Sequence, residues 1–289
     1  MQVGIGLAVA AALLTNLASL LKHRGCHRAD PVRIHEPLRS ARNLASSPWF
    51  AAGWGVAVAA WLIHVAALSL APISIVQAVL AGGAMTLAVM AQRLFGDAVD
   101  RRQWLALLLG GAGLALLVLT VPHFTGNHSG FEVGAMLGFE GGLTLLASGL
   151  ALGHRSERLA DHGEVVLAAL AGILFALAGV AIKGLTGAES ISLAVLAPLI
   201  ALTAVAGIGA QYTAAVALQR GGAIETIGLI GLVANAAQIV GGVLVFGDPL
   251  SSSPLGIGLQ VSAFAMVCAS ALLIPARRGG SGAIAVVVA

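Results

Sequence analysis

The chain has 289 residues, 58% hydrophobic and only 9% charged, with a mean hydropathy of +0.98 and a formal net charge of +3. Soluble domains carry roughly 45–50% apolar and about 25% charged residues, so water is excluded as the solvent for most of this surface. Thirty-eight glycines and 4% aromatics suit closely approaching helices and argue against an aromatic-girdled barrel.

Nine apolar segments follow one another, at about 3–22, 48–70, 72–94, 103–122, 131–153, 164–186, 191–218, 223–247 and 254–275. Each is close to the ~20 residues that cross a bilayer as a helix. No positive charge precedes the first, which reads as a retained span and not as a cleaved signal. The loop at 23–47 is basic and contains Pro31 and Pro37; it is expected to be partly disordered or to lie on anionic membrane lipid. Pro72 and Pro254 open spans, where a missing N–H costs least. In the fifth span Gly149 and Gly153 form a GxxxG pair, read as packing within the chain. Cys26 falls in the basic loop and Cys268 in an apolar segment, which gives no basis for a disulfide. The tail at 276–289 is a glycine-rich linker with a short apolar end.

Basic residues orient these spans. Lys22, Arg24, Arg28, Arg33, Arg39 and Arg42 crowd the first loop, and Arg93, Arg101 and Arg102 follow the third span. Arg155 and Arg158 follow the fifth, Arg220 the seventh, and Arg277 and Arg278 the last. With nine spans, all of these share one side and only Lys183 lies on the other. The positive-inside rule then predicts an outside N-terminus and a cytoplasmic C-terminus, and thirteen arginines against two lysines with high Ala and Gly content suggest a bacterial inner membrane.

The tag Phe-Gly-Asp occurs twice, at 95–97 and 246–248, each time ending an apolar segment that starts shortly after an Ala-Leu pair (Ala67-Leu68, Ala217-Leu218). The equivalent spans are five apart, an odd number, and therefore cross in opposite directions. This predicts an all-α membrane domain over 1–289 with an inverted-topology repeat: a first half at 3–122, an unpaired fifth helix at 131–153 and a second half at 164–275.

Short motifs in matching order carry a family resemblance. They are Leu20-Leu21-Lys22-His23-Arg24-Gly25, Ala71-Pro72 with Ile75-Val76, Phe95-Gly96-Asp97, Ile182-Lys183-Gly184-Leu185, and Gln211 followed by Ala217-Leu218. Over most of its length the chain resembles the drug/metabolite transporter (DMT, EamA-like) superfamily, and within it the NIPA-type magnesium transporters. The resemblance implies transport by alternating access, without an enzymatic reaction. The chain departs from the NIPA pattern at an acid in the second span and at prolines in the third and eighth, where Trp61, Ala78 and Gly228 stand.

Ionisable groups inside a membrane cost on the order of 2.5–3.5 kcal/mol, so each calls for a reason. Glu140 lies near the middle of the fifth span beside Gly138, Gly141 and Gly142 and is the main candidate for a proton or metal-cation site. Asn235 and Gln238 share a face of the eighth span with Gly231 and Gly242, forming a polar strip that could line a substrate path. Gln77, His64 and Gln211 are further transport candidates, with His64 able to share a proton with Glu140 in a relay. Asp97 and Asp248, in the two tags, and Lys183, expected to snorkel at its span end, are gate candidates. Glu225 is placed to stabilise a helix N-terminus. No Walker sequence or nucleic-acid signature occurs, and no cofactor is expected. Three readings stand at this point: divalent-cation transport, proton-coupled transport of a small organic solute or drug, and a non-transporting membrane scaffold with the same fold.

Overall fold

The computed structural model describes residues 2–32, 36–96, 100–120, 130–154, 163–186, 192–248 and 251–273. Among these the chain is helical throughout, without a strand. The helices are α1 (Gln2–Cys26), α2 (Pro37–Ser46), α3 (Pro48–Leu70), α4 (Ile73–Gly82), α5 (Ala84–Met90), α6 (Arg101–Thr120), α7 (Val133–Gly153), α8 (Gly163–Leu185), α9 (Leu193–Arg220), α10 (Ala223–Phe246) and α11 (Pro254–Leu273). Seven helical stretches among the described residues are long and apolar enough to cross a membrane: α1, α3, the run Ile73–Leu94, α7, α8, α9 and α10. The chain is a helical membrane protein. The long helices follow the apolar segments read from the sequence, because unbroken Ala, Leu, Val and Gly runs in lipid must satisfy every backbone group within the segment.

Proline and glycine set the boundaries. Pro37, Pro48 and Pro254 start helices, and Pro72 caps α4. Ala71, held extended by the following proline, ends α3. The two Phe-Gly-Asp tags prove to be the same device twice. Gly96 (φ +74°) and Gly247 (φ +64°) are both left-handed, and each gives its N–H to the carbonyl five residues back, Ala91 and Gly242. In the first copy the last turn, Ala91–Phe95, is π-helical. A Cβ at Gly247 would meet nothing within 4 Å, so only backbone strain opposes alanine there. Gly247→Ala is therefore expected to cost about 1–2 kcal/mol, checked as a drop in the thermal midpoint in detergent.

The helices pair as α1 with α3, α8 with α9 and α6 with α11, while α10 runs against both α8 and α4. α7 packs on α8 through Met136, Glu140, Leu143 and Ala147 and leaves its other faces open. Consequently Gly138, Gly141, Gly142 and Gly149 all look outward with nothing within 4 Å of an added Cβ. The expectation that the first three surround Glu140, and that Gly149 packs inside the chain, is corrected here.

The described part of the 23–47 loop is also more ordered than expected. α1 extends to Cys26, α2 forms over Pro37–Ser46, and the Gln219 side chain bridges the Cys26 and Asp30 carbonyls and the Val32 N–H. Arg24 and Arg28 stack over Trp49 at 4.6 and 5.8 Å, which helps explain why the loop folds back.

Candidate functional site

α10 carries the polar strip on its inward face. Asn235 and Gln238 are both buried, as are Gly228 and Gly242 along the same line. Gln238 accepts a 2.9 Å hydrogen bond on Oε1 from Gln77 Nε2 of α4, and donates its own Nε2 to the Ala234 carbonyl at 3.3 Å. His64 Nε2 of α3 lies 3.4 Å from the same Gln77 Nε2. An amide nitrogen only donates, so the imidazole accepts at Nε2 and carries its proton on Nδ1. His64 Nδ1 and Gln77 Oε1 are buried and unpartnered. Three of the transport candidates thus converge across α3, α4 and α10.

Room for this cluster comes from α8. A Cβ on Gly179 would collide with the Gln238 side-chain amide. Gly179→Ala is expected to displace Gln238, break its bond to Gln77 and cost about 1–3 kcal/mol, with Gln77→Leu adding little on top in a double-mutant cycle.

At one end of the strip, charged groups close the junction between α3 and α4. Lys183, fully buried at 0% exposure, donates to the Leu68 carbonyl at 2.7 Å and the Ala71 carbonyl at 3.0 Å. Asp248, also buried, accepts the Ser74 N–H at 2.9 Å on Oδ2 and lies within electrostatic reach of Lys183. A cation therefore meets the negative end of α3, and an anion meets the positive end of α4. Lys183 does not snorkel to an interface as expected, because backbone acceptors inside the fold hold it. Asp97, its tag-mate in the first half, lies outside the described residues.

At the opposite end, polar contacts join α1 and α6 to the junction of α9 and α10. His23 of α1 lies 3.4 Å from the Gly221 carbonyl at the junction of α9 and α10, and the neighbouring Lys22 donates to Gln211 Oε1 of α9 at 3.1 Å. Gln103 of α6 donates to Glu225 in the first turn of α10 at 2.7 Å, so Glu225 does sit at a helix N-terminus. Gln211 is engaged with Lys22 at this end, away from Gln77 and Gln238.

Glu140 stands apart. It is 5% exposed, and neither carboxyl oxygen has a hydrogen-bond partner. The direct His64–Glu140 pairing is therefore not formed. The preceding residue, Phe139, packs where Gly241 of α10 and Val180 of α8 approach, one turn from Gln238. Among the described residues no three His, Cys, Asp or Glu side chains gather to hold a metal ion. Trp61 is 49% exposed.

Sequence reasoning passed over one feature. Asn16 donates to the Gly83 carbonyl at 2.7 Å and to Thr86 Oγ1 at 3.0 Å, where α4 stops and α5 begins. The signal was present as Gly82-Gly83 followed by Thr86 inside an otherwise continuous apolar run. Comparison with protein-family models, curated proteins and solved structures returned no match to this chain.

Proposed function

We propose that the chain is a secondary transporter of the drug/metabolite type, with nine spans in two inverted halves and Glu140 as the group that exchanges a proton for cargo. Counting α6 and α11 as spans with the seven apolar stretches gives nine. One observation carries the repeat: each half closes the other at the matching place. Lys183 of α8 binds the carbonyls that end α3, while His23 of α1 lies against the carbonyl that follows α9. Asp248, the last residue of the second tag, reaches the first turn of α4 at Ser74, and Gln103, in the helix after the first tag, reaches the first turn of α10 at Glu225. Such cross-half contacts at opposite ends are what alternating access exchanges.

Glu140 favours proton coupling. A buried carboxyl inside a span calls for a reason, and both Glu140 oxygens are without a hydrogen-bond partner and open to accept a proton. Divalent-cation transport is the reading that the NIPA resemblance favours. Magnesium prefers six oxygens, so one carboxylate with nearby amides would pass it only hydrated. The distribution of basic residues supports an outside N-terminus and a cytoplasmic C-terminus.

Purified protein in liposomes loaded with a pH-sensitive dye tests this. The expected result is proton movement triggered by a pooled set of small organic solutes under an imposed pH gradient. Magnesium flux without dependence on the gradient would favour the cation reading. Neither flux, from protein shown to be folded, would leave the scaffold reading.

A further inference from the structure

A cavity of about 50 Å³ lies where α1, α4, α5, α6, α10 and α11 meet. Its wall is apolar or glycine except at Asn16, Asn235 and Ser270. Two mid-helix amides face it, Asn16 in α1, which also holds the Gly83 carbonyl between α4 and α5, and Asn235 in α10.

The polar atoms facing this space are unequal in kind. Asn16 spends its Nδ2 on the Gly83 carbonyl and on Thr86 Oγ1, which itself donates to Gly83, so the Asn16 side-chain oxygen is left as an acceptor. Asn235 is 8% exposed and makes no side-chain hydrogen bond among the described residues. At the break the Thr86 N–H turns to the Gly83 carbonyl, three residues back, in place of the helical partner at Gly82. Leu80 and Ala81 of α4 form part of the wall. No lysine, arginine or histidine lines the space.

We propose that this cavity is a binding site for a dehydrated monovalent cation of about the size of sodium. The Asn16 and Asn235 side-chain oxygens replace part of its hydration shell, and a water or two held in the cavity supplies the rest. The volume takes an ion with a water or two and is too small for an organic solute. A divalent ion would call for carboxylates and more retained water than the wall provides. The inference concerns equilibrium binding and does not depend on the transport reading.

Radioactive sodium binding to the purified protein in detergent, with choline as the balancing cation and no gradient, tests it. Wild type is expected to bind sodium saturably. Asn235→Leu removes one oxygen and is expected to weaken binding at least tenfold. Gly231 lines the cavity, and an added Cβ there meets nothing within 4 Å, so Gly231→Val occupies the space without a clash and should weaken binding similarly if the leucine variant fails to fold. Absence of saturable binding by a wild type with an intact melting transition would mean the cavity holds water only, and would overturn the proposal. Binding that persists undiminished in the folded variants would overturn it as well.

Discussion

Lys183→Met lowers the stability of the protein by about 3–5 kcal/mol, seen as an early melting transition in detergent, although the substituted side chain is apolar and nearly the same length. Methionine fits the space but leaves the Leu68 and Ala71 carbonyls without their donor and Asp248 without its nearby cation. Removing one member of a buried charged group is costly because the others stay desolvated. Asp248→Asn is expected to cost less, since an amide oxygen still accepts from the Ser74 N–H. The double variant should be less unstable than the two single losses added together. Equal and additive losses would mean that Lys183 and Asp248 act independently, and the clamp would then be two unrelated contacts.

Glu140→Leu is expected to act in the opposite sense on stability and function. Both carboxyl oxygens are buried without a partner, so leucine relieves an unsatisfied group and raises stability by about 1–3 kcal/mol. On the proposed function the same change removes the proton carrier, and gradient-driven accumulation is expected to fall to background. Glu140→Gln should share the functional loss with little change in melting temperature. Function lost while stability rises marks a residue kept for activity at the expense of the fold. A glutamate that stabilises the protein would give a lower melting temperature in the leucine variant, and that outcome would remove Glu140 from the mechanism.

Helix positions were readable because lipid leaves an apolar run no alternative to internal hydrogen bonding. The Phe-Gly-Asp tags were readable as the ends of apolar segments, and the conformation of Gly96 and Gly247 follows from glycine at the one position that must be left-handed. Lys183 was misjudged because its partners are main-chain carbonyls more than a hundred residues away, which carry no side-chain signature. The glycines beside Glu140 misled for a geometric reason. At 100° per residue, positions 138, 141 and 142 cannot share the face of 136, 140, 143 and 147, and the buried face is the latter. Gln77, Gln238 and His64 were named singly; their convergence depends on how α3, α4 and α10 cross, which hydropathy does not encode.

The exchange of end contacts between halves has a consequence for biogenesis. When α3 and α4 have entered the membrane, the lysine that quiets the Leu68 and Ala71 carbonyls and the aspartate that caps α4 have not yet been synthesised. At about 5–20 residues per second, the ribosome needs on the order of 10–35 s to travel from Ala71 to Asp248. Throughout that interval the junction stays polar and uncovered, and the nascent chain depends on the insertion machinery or on water at the membrane surface to shield it. The later helices supply the missing donor and acceptor as they arrive, so the α3–α4 junction is completed only once residue 248 has been made.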